Sequence, residues 1–192
     1  MSPRKKEDNE LIRERRKAHI LEVALNLFAR VGYESTTISR IAKEAKISKG
    51  LMYNYFDSKE DLLKSLILDL NKMEEGMMSS VIDDDPQVML RNIIIAFFKT
   101  LVEDKDKWKL ISVLTFQVEK FDFIQDLASQ KMLGYHQLFE DLLSRSGIEN
   151  AKEEAQLLGA IFDGIAFQYL VVHGDYPLDQ MKNYLIKKYC NN

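Results

Sequence analysis

Residues Thr36 to Lys59 read TTISRIAKEAKISKGLMYNYFDSK, and the spacing of their apolar positions decides the fold. Ile38, Ile41, Ala42 and Ala45 fall at the three- and four-residue steps of one helix face. Ile47, Met52, Tyr55 and Phe56 resume such a face after a short break. Two short helices joined by a tight turn satisfy both stripes. Ala42 is small enough to let the second helix approach the first, and Ser48 is placed to cap the second helix by accepting a bond from an orphan backbone N–H. The pattern predicts a helix-turn-helix.

Lys49, Gly50, Leu51, Tyr53 and Asn54 lie off the buried stripe in the first turns of the second helix, the end that such helices insert into a DNA major groove. Lys49 can donate to guanine O6 or N7 and Asn54 can pair with adenine N6 and N7, each worth about 1–3 kcal/mol of discrimination in good geometry. Tyr53 suits a phosphate or a thymine methyl. Lys59, near the start of the next helix, and Thr36 and Thr37, ahead of the first, are expected to hold phosphates on the two sides of the groove. Periodicity reports burial and not partners, so a second reading stays open: a helical ligand-carrier or protein-interaction dimer whose helix-turn-helix is only structural.

The pieces TTISRIAKEAKIS, KGLMYNYF and DSKEDLL together resemble the N-terminal DNA-binding domain of the TetR family of bacterial transcriptional regulators, over residues 12–65. Tyr-x-Tyr-Phe followed by Ser-Lys-Glu-x-Leu is the most specific piece. The resemblance implies DNA contacts from Thr37, Ser48, Lys49, Gly50, Leu51, Tyr53, Asn54, Tyr55 and Lys59, with Leu51 and Tyr55 shared between packing and DNA. One departure stands out. Where the family usually has glycine in the turn, this chain has Lys46, so either lysine accepts a left-handed backbone or the turn is reshaped, at a cost of about 1 kcal/mol.

Composition sets the frame around this stretch. The 192 residues are 46% hydrophobic and 30% charged, ordinary for a globular chain, and only three prolines and eight glycines punctuate them. A sheet protein of this size needs more turn residues, so the fold class is all-α. The net charge of −3 conceals an asymmetry. Residues 1–64 carry 14 Lys or Arg against 10 Asp or Glu, and residues 65–192 carry 13 against 20. A basic end and an acidic remainder would orient the molecule in the field of DNA. Cys190 is the only cysteine, so neither an internal disulfide nor a thiolate metal cluster can form within one chain. No signal-peptide core and no uncharged apolar run of membrane length is seen, and a cytoplasmic location with no membrane partner is expected.

In chain order, residues 1–10 read as a disordered basic leader in which Arg4, Lys5 and Lys6 could follow DNA, residues 11–60 as the DNA-binding domain, and residues 61–192 as a helical ligand-binding and dimerisation body. A first helix from about Leu11 to Val31 ends at Gly32 and carries Arg13, Arg15, Arg16 and Lys17 in its first turns, where nearby phosphates would offset their clash with the helix dipole. A helix from Ser58 to about Val81 enters the body and is the natural lever of a regulator. Asp85 and Pro86 start a helix to about Val102 that is apolar nearly all round and expected to be buried. Further helices are expected over Trp108–Val118, Asp122–Ser146, Asn150–Val172 and Pro177–Tyr189.

The helix from Asn150 has two apolar faces, so it needs two neighbours. Leu157, Ala160, Ile161, Gly164 and Gln168 are expected to form a two-fold dimer interface, a four-helix bundle that agrees with the family. Aromatic residues elsewhere in the body suggest a pocket for a small apolar or aromatic effector, with Phe97, Trp108, Phe116, His136, Phe139, Phe162 and Gln168 as its lining and Asp163 as a further polar anchor. His136 and His173 lack partners at metal-site spacing, and no phosphate loop or nucleophile elbow occurs, so no metal, cofactor or enzymatic activity is expected. The partners expected are double-stranded DNA, a second copy of the chain and a small-molecule effector; the family implies a repressor on a palindromic operator, released by ligand.

Overall fold

The computed structural model describes residues 3–115, 120–172 and 175–190, with side chains from Asp8 onward. Among the described residues every regular element is an α-helix: α1 (Pro3–Val31), α2 (Ile38–Glu44), α3 (Lys49–Met52), α4 (Lys59–Ser80), α5 (Pro86–Glu103), α6 (Lys105–Thr115), α7 (Asp122–Arg145), α8 (Ala151–Val172) and α9 (Leu178–Tyr189). The chain divides into two compact units, Met1–Lys72 and Met73–Asn192, and the division falls inside α4 rather than at its start. We call the first unit the head and the second the body.

The head's helix ends are set by local chemistry. Gly32, at φ +90°, ends α1 with its N–H on the Phe28 carbonyl, a left-handed turn that glycine adopts without penalty. Thr37 caps α2 by accepting from Arg40 N, and Ser48 caps α3 by accepting from Leu51 N at 3.1 Å, each worth about 1 kcal/mol. Ser58 Oγ accepts from Asp61 N while Asp61 Oδ2 accepts from Asp57 N, a reciprocal cap on α4. Buried Ile20, Ala24, Phe28, Ile41, Ala42, Met52, Phe56, Leu62, Leu63 and Leu66 come from all four helices.

Two expectations for the head change. α1 begins at Pro3 rather than Leu11, so residues 3–10 continue the helix; lysine and glutamate are good helix formers and proline is tolerated in a first turn. Helix α3 is a single turn. After Met52 the chain tightens, with Asn54 N on Leu51 O and Tyr55 N on Met52 O, and this three-residue winding still brings Phe56 into the core.

In the body, α7 packs chiefly on α8, and α5 lies against α7 and α9. Asp85 caps α5 by accepting from Gln87 N and Val88 N, with Pro86 at the first helical position as expected. Leu90, Ile93, Ile94, Phe98 and Leu101 of α5 are buried, but Val88, Ile95 and Val102 are exposed, so this apolar helix keeps one face open. α6 follows after Asp104 alone and starts before Trp108. Gly147, at φ +76°, closes α7. α8 buries Ala155, Leu158, Phe162, Ile165, Ala166 and Leu170 along one face. By length and composition α8 could cross a membrane, with a mean hydropathy of 1.5 in its most apolar window. Asp163 in mid-helix and the buried face are those of a helix packed against protein.

Candidate nucleic-acid interface

The turn between α2 and α3 explains how the head presents its polar crest. Lys46 adopts φ +54°, so the lysine accepts the left-handed conformation, and its N–H still bonds Lys43 O at 3.2 Å. Ile47 N returns to Ala42 O at 3.0 Å, closing the turn with the pattern that normally ends on glycine. From this turn α3 exposes Lys49 and Gly50, and the tight turn after it exposes Tyr53 and Asn54. Tyr53 is 48% exposed although it is large and aromatic. Leu51 and Tyr55 are half-buried.

Gly50 is informative because nothing inside the chain requires it. A Cβ built there meets only Ser48 Oγ at 4.0 Å, an ordinary contact, and its φ lies outside the left-handed region. A glycine that packing and backbone do not demand, on an outward-facing helix, is suited to close approach by a partner.

Beside α3 lies an open groove of about 620 Å3, lined by Ile12, Arg15, Arg16 and His19 of α1 and by Ala45, Lys46, Ile47, Ser48 and Leu51. Its floor is apolar and its rim carries three permanent cations. Such a rim binds phosphate through charge, without reading sequence.

Several expected contacts are spent within the head. Thr36 is fully buried, and its hydroxyl donates to the Gly32 carbonyl at 2.8 Å, so it braces the end of α1 and is not a phosphate ligand. The Lys59 ammonium donates to the carbonyls of Tyr33 (2.9 Å) and Glu34 (3.4 Å) and sits 4.2 Å from the Tyr33 ring centroid. It ties α4 to the α1–α2 turn with two of its three N–H donors. Arg13 donates to the Asn54 carbonyl at 3.3 Å and lies 5.5 Å from the Tyr55 ring centroid, pinning the turn that carries the crest. Thr37 and Ser48 keep exposed hydroxyls while capping. The side chains of Arg4, Lys5 and Lys6 lie outside the described residues.

In the body, four of the expected pocket residues meet. Phe97 of α5 lies 5.5 Å from Trp108 of α6 and 4.5 Å from Phe162 of α8, centroid to centroid; Phe162 lies 5.7 Å from Phe139 of α7, which stacks 6.1 Å from Tyr135. Trp108 Nε1 is buried and has no hydrogen-bond partner among the described residues. His136 is half-buried on α7, its Nε2 3.1 Å from where a Cβ on Gly159 would stand, so glycine there lets the imidazole close onto α8. Gln168 and Asp163 are exposed on α8, but partial burial raises the Asp163 carboxyl above the ordinary aspartate value, and Asp163 is near enough to His136 to feel its charge. Phe116 and His173 lie outside the described residues.

The polar anchor that periodicity missed is Glu74 of α4, which accepts from both Lys131 and the Tyr135 hydroxyl of α7. Burial pushes the Glu74 carboxyl up, but the two donors outweigh it and hold it below the ordinary glutamate value; burial and the same carboxylate push the Tyr135 phenol well up. Its partners are 57 and 61 residues away, so no local pattern could have signalled it.

Comparison with known proteins agrees with this geometry. Residues 20–66 match the family model described as "Bacterial regulatory proteins, tetR family". An uncharacterised HTH-type transcriptional regulator of Bacillus subtilis, YuxN, is 40% identical over 92 residues, covering 45% of this chain and 31% of that protein. The HTH-type transcriptional regulator AcrR of Shigella flexneri is 32% identical over 114 residues, 57% of this chain and 51% of that one. The chain thus spans about half or less of these relatives' length. A protein of Saccharomonospora viridis solved in complex with choline has the same fold, with a TM-score of 0.79 at 22% identity over 92% of this chain and 95% of that one. Residues 20–66 are thus similar to the DNA-binding part of the TetR family of bacterial regulatory proteins.

Proposed function

We propose that this protein is a homodimeric, sequence-specific DNA-binding transcriptional regulator of the cytoplasm, a repressor on a palindromic operator that a small apolar or aromatic ligand releases. The observation that carries the reading is the crest of Lys49, Gly50, Tyr53 and Asn54, exposed together beside a groove rimmed by Arg15, Arg16 and Lys46. Base-edge donors flanked by phosphate-binding cations are what a major-groove reader needs. Leu51, Tyr55, Ser48 and Thr37 support the crest, and the first two share contact with DNA.

A single short crest reads few bases, so specificity calls for two. Along α8, Leu157 (47% exposed) and Val171 (57%) leave an apolar face uncovered, with Tyr184 of α9 at 62%. Ala160 and Gly164 are small, and a Cβ on Gly164 would meet nothing within the chain. A second copy of α8 covers this face, with Leu157, Ala160, Ile161, Gly164 and Gln168 at the contact. The effector site is the ring cluster of Phe97, Trp108, Phe139 and Phe162 with His136 at its edge. Ligand acts by preferring one of the protein's conformations, since equal affinity for both shifts nothing.

The test is selection of bound fragments from a random duplex library by the purified protein. A palindromic motif, bound with an affinity that falls steeply with salt, is the expected result. Recovery of no motif at low salt from folded dimer refutes the regulator reading and favours a ligand carrier.

A further inference from the structure

Among the described residues one fully buried side-chain polar atom has no hydrogen-bond partner, and it belongs to the ring cluster of the body. The Trp108 indole N–H can only donate, and its Nε1 is buried with no acceptor. Buried donors in folded proteins are paired in the great majority of cases, and an orphan calls for a specific explanation. The hydroxyls nearest in sequence donate elsewhere: Ser112 Oγ to the Trp108 carbonyl at 2.9 Å, and Thr115 Oγ1 to the Ile111 carbonyl at 2.9 Å. The ring nearest Trp108 among those described is Phe97, edge-to-face at 84°, which carries no lone pair. The charged groups of the body's α4–α7 contact, Glu74 and Lys131, satisfy each other and Tyr135.

We propose that Trp108 Nε1–H is the hydrogen-bond donor of the effector site, and that the effector is a neutral aromatic or apolar molecule carrying a carbonyl-type acceptor. The proposal rests on the reading of the ring cluster as a ligand site. Neutrality follows from the surroundings. A carboxylate beside Phe97 and Phe162 would be desolvated among the rings, whereas a ketone, amide or ester oxygen takes one N–H and leaves its apolar body against them. The donor also supplies specificity, because a site that hydrogen-bonds a ligand oxygen discriminates against the isostere lacking it.

Trp108 is the only tryptophan, so isotope-labelled full-length protein gives one indole N–H resonance, assigned by its loss in Trp108→Phe. The probes are ketones paired with the alkenes in which a methylene replaces the oxygen: benzophenone against diphenylethylene, and acetophenone against alpha-methylstyrene. The ketone of at least one pair is expected to bind about three- to tenfold tighter than its alkene and to move the indole proton downfield. In Trp108→Phe the preference is expected to vanish; if that variant does not fold, the paired titrations of the native protein decide alone. Equal affinity within each pair, ketone binding that leaves the indole resonance unmoved, or no binding by any probe overturns the proposal. Operator selection is scored separately. A ketone preference without DNA binding would refute the regulator reading and leave the donor assignment intact.

Discussion

Replacing Gly50 by alanine should move stability and DNA affinity in opposite directions. Within the chain the new methyl meets only Ser48 Oγ at 4.0 Å, and the backbone there is open to L-residues, so the folded head takes it without strain. The unfolded chain loses freedom, which stabilises the fold by about 0.5–1 kcal/mol and raises the melting temperature by about 1–4 °C. At the DNA surface the same methyl occupies space that the bare backbone leaves for a base or a phosphate. Forcing a methyl into a closely packed contact costs about 1–3 kcal/mol, which is roughly 5- to 150-fold in affinity. Thermal melting by circular dichroism and fluorescence anisotropy on the selected duplex, at one fixed salt concentration, measure the two effects. An affinity within about twofold of the native protein, with a raised melting temperature, would mean that Gly50 does not approach DNA. A lowered melting temperature would mean that the backbone at Gly50 is not the one described.

Arg16→Ala, on the rim of the groove, should weaken binding about equally for all sequences and lower the slope of log affinity against log salt by about one; a change in sequence preference would refute a phosphate role. Leu157→Glu on the exposed face of α8 should yield a helical monomer in sedimentation velocity, and a persisting dimer would place the interface elsewhere. The Glu74 carboxyl is held below its ordinary value of 4.5, so its contribution to stability is full above that value and is lost as pH falls through the lowered folded value. Glu74→Gln should therefore flatten the acid limb of the stability profile below about pH 4.5, and an unchanged limb in denaturant melts would refute the assignment.

Local chemistry made much of this fold legible. Ser48, Asp85, Gly32 and Gly147 mark helix ends because each satisfies or releases backbone groups within a few residues, and the left-handed Lys46 follows from where a turn must close. The crest was legible for a related reason, since positions left off a buried stripe must face outward. Residue type alone misassigned Thr36 and could not show what holds Lys59. Thr36 spends its one donor, and Lys59 two of its three, on carbonyls that only the folded turn after α1 brings near. The stripe through Phe56 could not show that α3 is one turn long, because three-residue winding buries the same side chains. The Glu74, Lys131 and Tyr135 contact was beyond any periodicity, being made between helices distant in sequence.

The placement of the sole tryptophan has a consequence for how unfolding can be followed. Trp108 belongs to the body, so indole emission reports the melting of that unit alone, whereas far-ultraviolet ellipticity sums over helices of both units. Coincident transitions by the two signals would mean that the chain melts as one cooperative system; separated midpoints would give each unit its own stability from a single unmodified protein.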